Sequence, residues 1–240
     1  MLIKGTPLQI HELVNGWNIN LMNEFVKNID NNFFPLVYSQ FYEDADVKKD
    51  YILFIGINPS DKGIPPNFKI TNPDVSIEDV IKYENDALMN YSYFAPLRDI
   101  SKEIGLPFKH IDLFFIRERK QLELKKLIGL RFINNREEVE INDIGNSQLE
   151  IFYELLKKLK PKVIVIVNAT ASHIFHATHK TYYEDSNVNW QDDRGYHIYK
   201  DEKRKLSIPL FSSGMLSGGR ALDIYSRQRL IWHIKKSITK

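Results

Sequence analysis

Four short apolar runs punctuate an otherwise mixed chain: Tyr51–Ile57 (YILFIGI), His110–Ile116 (HIDLFFI), Val163–Val167 (VIVIV) and Leu206–Phe211 (LSIPLF). Their apolarity is continuous rather than alternating, and a strand of that kind is covered on both faces, as in the parallel sheet of an α/β fold. Helical patterns lie between them. In SQLEIFYELLKKLKP, Ser147 and Glu150 have capping-box spacing, Ile151, Leu155 and Leu159 share one face, and Pro161 stops the helix before the third run. The segment RALDIYSRQRLIWHIKKSI predicts a docked last helix, with Leu222, Tyr225, Ile231, Ile234 and Ile238 on a buried stripe and Arg227, Lys235 and Lys236 in water. Residues 1–50 read as a peripheral helical extension broken at Asn15-Gly16-Trp17, and residues 181–205, polar and aromatic around Asp192-Asp193-Arg194-Gly195, as a loop or hairpin insertion. The expected architecture is one domain over residues 1–240, an α/β fold forming a three-layer α/β/α sandwich around a central, mainly parallel four-stranded sheet.

Composition narrows the setting. The 240 residues are 43% hydrophobic, enough for a sizeable core, and no internal repeat or low-complexity tract divides them. Formal charge is only +2, from 33 Lys+Arg against 31 Asp+Glu, so any basic surface must arise from uneven placement. Cysteine is absent, which excludes disulfides, thiolate zinc sites, thiol nucleophiles and cysteine-ligated clusters together. No run reaches the roughly 18 apolar residues that a membrane span needs, and the N-terminus lacks a signal-like apolar stretch. A cytoplasmic monomer without membrane association is expected.

In a doubly wound sheet, ligands gather at the carboxyl ends of the strands. The first run ends in Gly56-Ile57-Asn58-Pro59-Ser60, the second in RERKQ, the third in NATAS and the fourth in SSGMLSGGR. The first and last of these resemble the two motifs of the uracil-DNA glycosylase superfamily, in the style of its mismatch-specific (MUG/TDG-like) branch. There a G-[IM]-N-P-[GS] motif follows the first core strand and an N-P-S-G-L-S-R motif follows the last. Here Ser213, Gly214, Met215, Leu216 and Ser217 match the second, with Arg220 after two further glycines. YSYFAPLRDISKEIGL is similar to the family helix after motif one, and PKVIVIVNATASHIF to its third strand and helix, so the likeness spans Tyr51 to Ser237.

The resemblance implies a metal-free, cofactor-free glycosylase that flips uracil, or a related deaminated or mismatched base, out of DNA. Breaking a glycosidic C–N bond passes through an oxocarbenium-like transition state while negative charge grows on the departing base. Fixed dipoles serve this chemistry: Asn58, held by Pro59, would orient the attacking water, and turn N–H groups near Gly56, Ile57 and Ser60 would stabilise the base. Phe68 stands where the family stacks the extruded base. Extrusion leaves a gap in the duplex, which Met215 and Leu216, flanked by Ser213, Gly214 and Ser217, would fill as a wedge, with Arg220 and the N-terminus of the last helix at the phosphates. Branches with an aspartate in motif one have Asn58 in its place here, and no histidine lies between Phe211 and Arg220, so slow turnover is implied.

Other readings stand beside these. Asn168 either touches the base or caps the following helix. Arg117 is the candidate contact from the second strand. His173, His176 and His179 recur every three residues, as a metal face or as ordinary helix histidines. The basic residues of KKLKPK and of the last helix are a nucleic-acid track or merely solvated. At the level of function, the alternatives are a nucleic-acid-binding relative that has lost excision, and a hydrolase of free nucleotides using the same cleft.

Overall fold

The computed structural model describes residues 50–60, 64–65, 77–219 and 221–239. The N-terminal extension as far as residue 49, Phe68 and Arg220 lie outside the described residues.

Three of the apolar runs form β1 (Ile52–Gly56), β5 (Val163–Ile166) and β8 (Leu206–Ser212); the second, His110–Ile116, overlaps β2 (Phe108–Asp112) only over His110–Asp112 and continues into the chain beyond it, and the four strands lie side by side and parallel in the order β2-β1-β5-β8. All five residues of β1 and all four of β5 are buried, as their two-sided apolarity demands. The sheet nonetheless has six strands rather than four. Residues 181–205, expected as an insertion, supply β6 (Ser186–Gln191) and β7 (Tyr196–Asp201), an antiparallel hairpin that extends the sheet beyond β8. Their sequences, SNVNWQ and YHIYKD, are too polar to read as core strands because β6 is the sheet's edge. A further small hairpin, β3 (Arg131–Ile133) with β4 (Glu138–Glu140), stands apart from the sheet.

Helices cover both faces. Leu53 and Ile55 of β1 face a core shared with α3 (Gln121–Leu127), α4 (Asp143–Leu156) and α5 (Ala169–Tyr182), built on Leu124, Leu149, Phe152, Tyr153, Ile174 and Phe175. Ile52 and Phe54 face the opposite core, filled by Leu97 and Ile100 of α2 (Ala95–Ile104) and by Leu230, Ile231 and Ile234 of α6 (Ile224–Ile238). The remaining helix, α1 (Ile77–Asn90), precedes α2. No helix among the described residues is long and apolar enough to cross a membrane.

Local differences from expectation have local causes. Helix α4 starts four residues before Ser147, because the Asn142 side chain accepts a hydrogen bond from Gly145 N and caps it there. Ser147 sits inside the helix and bonds back to Asp143 O at 2.8 Å. Asp223 caps α6, accepting from Tyr225 N and Ser226 N, and this sets a phase that leaves Tyr225 72% exposed rather than on the buried stripe.

The end of α4 is tied to the β7–β8 turn by a buried pair. Asp201, with no exposed side-chain surface, bonds Arg204, whose two terminal nitrogens donate to Leu159 O (2.6 Å) and Leu156 O (3.3 Å). Burial alone would raise the Asp201 pKa, but hydrogen bonds from Tyr183 and Arg204 hold it below the usual carboxylate range. Asp201→Ala leaves Arg204 charged against two carbonyls without its counter-ion. It is expected to lower stability by about 3 kcal/mol, read as a shifted midpoint in urea unfolding.

Candidate active site

The strand order puts β1 beside β5, and the chain leaving β1 turns toward β2 while the chain leaving β5 turns the other way, toward β8, so the two part at their carboxyl ends. That switch point is where an open α/β sheet forms a crevice. A cavity of about 760 Å³ opens there, and the carboxyl ends of all four parallel strands reach it.

From β1 comes the Ile57-Asn58-Pro59-Ser60 turn, all four residues lining the cavity. It runs beside the chain leaving β2: Leu113 N donates to Gly56 O, Phe114 N to Ile57 O and Glu118 N to Pro59 O, each at 3.0–3.1 Å. Asn58 locks the two segments together, its Nδ2 donating to Pro59 O (2.9 Å), Ile116 O (3.2 Å) and Glu118 O (2.8 Å). Three converging carbonyls admit only the nitrogen end of the amide, which fixes the orientation of the side chain.

From β2 comes Asp112, directly in register with Gly56. A methyl group at Gly56 would overlap Asp112 Oδ1 and stand 3.1 Å from His110 Nε2, so glycine here is required by the carboxyl that crosses it. Gly56 is therefore the floor beneath Asp112 rather than a group in the cavity. Asp112 is 3% exposed, and burial pushes its pKa up to about 8; Arg117 pulls it down and Glu84 pushes it back. His110 Nε2 lies 3.9 Å from Asp112 Oδ1, and burial lowers the imidazole to about 4. Burial thus favours the uncharged form of each group. Arg117, on the chain beyond β2, forms a buried ion pair with Glu84 of α1, so its charge is already matched. That pair and Arg98, which donates to Leu88 O (2.7 Å) and Tyr91 O (3.1 Å), hold α1 and its aromatic neighbours as the cavity wall. Tyr83, Tyr91, Tyr93 and Phe94 line it. The rim is basic, with Arg119, Lys120 and Lys125.

The ends of β5 and β8 close the far side. Asn168 lines the cavity but its Oδ1 accepts from Thr170 N (2.8 Å) and Ala171 N (3.2 Å), capping α5. Gln121 of α3 bonds Thr170 Oγ1 at 2.7 Å and ties that end in place. After β8, Ser213 N donates to Ile166 O and Leu222 N to Met215 O, folding the glycine-rich segment into a compact loop. Met215 lines the same cavity as Asn58. Leu216, expected beside it as a wedge, is 6% exposed and packs into the core under α6, where it anchors the loop. Ser213 is buried with its Oγ on Gly214 O at 3.0 Å, and neither it, Gly214 nor Ser217 lines the cavity.

The three helix histidines diverge. His176 Nε2 meets Ser212 Oγ at 3.3 Å, His179 Nδ1 meets Ser186 Oγ at 3.0 Å, and His173 lies edge-on to Phe132. Among the described residues no three His, Asp or Glu groups are placed to hold a metal.

Asp112 and Glu84 escaped the sequence reading. The former had a signal: one aspartate inside the apolar run HIDLFFI. Glu84 had none, since only the fold brings α1 to Arg117.

A buried acid with a raised pKa binds its proton more tightly folded than unfolded. Its contribution to stability is complete below the ordinary 3.8 and is lost as pH rises to about 8. Wild type is thus expected to lose up to about 1.4 kcal/mol per pH unit across that window from this group. Asp112→Asn removes that part of the slope, measured by chemical unfolding at a series of pH values. No protein-family model matches the chain and no curated protein matches its sequence, so what the cleft does is to be read from its own chemistry.

Proposed function

We propose that the protein is a DNA glycosylase that hydrolyses the N-glycosidic bond of uracil, or a related deaminated or mismatched base, held outside the duplex. The observation that carries this reading is the meeting of Asn58, Asp112 and Met215 at one cavity with a neutral polar floor and a basic rim. A flipped nucleotide has a matching division: a flat, uncharged base and flanking phosphates. The aromatic wall offers faces against which a base packs. The neutral Asp112 carboxyl presents a donor and an acceptor together, complementary to the adjoining C=O and N–H of a deaminated base edge. Asn58 Oδ1 accepts a hydrogen bond from the attacking water, and Met215, on a loop anchored by Leu216, takes the place vacated in the stack. Arg119, Lys120 and Lys125 receive phosphates. No step needs a metal or cofactor.

A second reading has its own support. Bracing three carbonyls is by itself a sufficient role for Asn58, which favours a nucleic-acid-binding relative that keeps the cavity without excising.

Incubation with uracil-containing single strands and G·U duplexes, followed by alkaline scission, separates the two. Excision predicts a break at the uracil; bound but intact oligonucleotide supports the second reading. Asn58→Ala is expected to lower turnover about 100-fold, by loss of one positioned polar group, while oligonucleotide binding persists. Unchanged turnover removes Asn58 from the chemistry. Lys120→Ala combined with Lys125→Ala should weaken binding without changing base preference, and reduce the slope of log K against log salt by about 2.

A further inference from the structure

We propose that Asp112 is the proton donor to the departing base, so that the base leaves neutral rather than as an anion. This rests on the glycosylase reading and adds to it an acid that neither motif contains.

The geometry supplies what a general acid requires. Asp112 ends β2 at the cavity floor, across from the turn that carries Asn58, so donor and water-positioning group reach the cavity from adjacent strands. Gly56 presents no side chain against it, and its carboxyl is fixed in the space where a β-carbon would stand. Among the described residues the charged and titratable groups facing it are His110 on its own strand, Arg117 beyond it, Glu84 from α1 and Tyr93 from the short turn before α2. Arg117 and Glu84 are paired with each other, and burial lowers the His110 imidazole. With its pKa pushed up to about 8, Asp112 carries its proton at neutral pH and can release it without a large uphill step.

The electron pair of the C1′–N bond passes to the base. The Asp112 proton moves to a ring nitrogen or a carbonyl oxygen conjugated with it. Water adds to C1′, and its surplus proton returns through solvent to the Asp112 carboxylate. Water has then added across the bond, with no oxidant or second substrate.

The role distinguishes acid catalysis from base recognition alone. Asp112→Asn keeps a neutral group of the same shape with a donor and an acceptor, so it should bind substrate with little change. It has no proton to give, and its kcat is expected to fall about 10²–10³-fold. Wild-type kcat should decline above about pH 8, where Asp112 ionises, while the variant shows no such limb. Replacing uracil by 5-fluorouracil, a better leaving anion, should help the variant about tenfold more than the wild type, because only the variant must expel an anion. A protonated carboxyl band in the infrared difference between wild type and Asp112→Asn at neutral pH is expected whether or not substrate is present. Wild-type excision with equal kcat and equal leaving-group sensitivity in both proteins overturns the proton donor and leaves the glycosylase reading standing, as does absence of the band. Failure of the wild type to excise any base overturns both.

Discussion

The missing β-carbon at Gly56 is the constraint on which this cleft depends. Parallel pairing of β1 with β2 sets residue 56 opposite residue 112, and a carboxyl group occupies the space any larger residue would fill. The consequence is electrostatic as much as steric. Packed over Gly56 and 3% exposed, Asp112 loses its hydration, and among the described residues the cation Arg117 beside it is paired with Glu84. Desolvation is the largest influence on that carboxyl and favours its neutral form. A single glycine thereby fixes the position and the protonation state of the most unusual group in the cavity.

The walls are fixed by groups that do two jobs. Asn58 stitches the β1 turn to the chain leaving β2 and, because three carbonyls claim its nitrogen, has only one way to face the cavity. The Glu84–Arg117 pair is costly to bury, yet it clamps α1 onto the β2 end and so sets where Tyr83 stands relative to the floor. Asn168 and Gln121 hold the starts of α5 and α3 in register on the other side. Functional groups at strand ends are well placed when the loops that carry them are hydrogen-bonded to one another rather than to solvent.

How much of this was legible follows from what each residue answers to. Strands β1 and β5 were readable because burial on both faces leaves an uninterrupted apolar run, ILFIG and VIVI, whereas β2, FKHID, is polar at three of five positions and the apolar stretch read as its core falls largely beyond it. A hairpin over residues 181–205 was one of the two expected forms, but its joining the sheet was not readable, because the edge strand β6, SNVNWQ, is as polar as a loop. The gathering of Asn58, Asn168 and Met215 followed from strand order, since parallel strands share their carboxyl ends. Which of two adjacent apolar residues projects did not: Met215 and Leu216 look alike in the chain, and only packing against α6 sends Leu216 inward. Asp112 was visible as a charged residue in an apolar run, but its partner across the strand, a glycine already assigned to a turn motif, gave no sign that the two were one feature.

The distribution of charge around the cleft carries one further argument about what enters it. The chain as a whole is only +2, yet residues 117–126 (RERKQLELKK) hold five cations against two acids, beside the cavity mouth. Subtracting Arg117, matched by Glu84, leaves a rim whose positive field is exposed and therefore screened by salt, above a floor that is buried and nearly immune to it. An anionic group driven to the floor would lose its hydration and meet a carboxyl that then has stronger reason to stay protonated. The same group at the rim keeps its water and gains the cations. Desolvation alone thus orients a nucleotide, base inward and phosphate outward, before any specific hydrogen bond is counted.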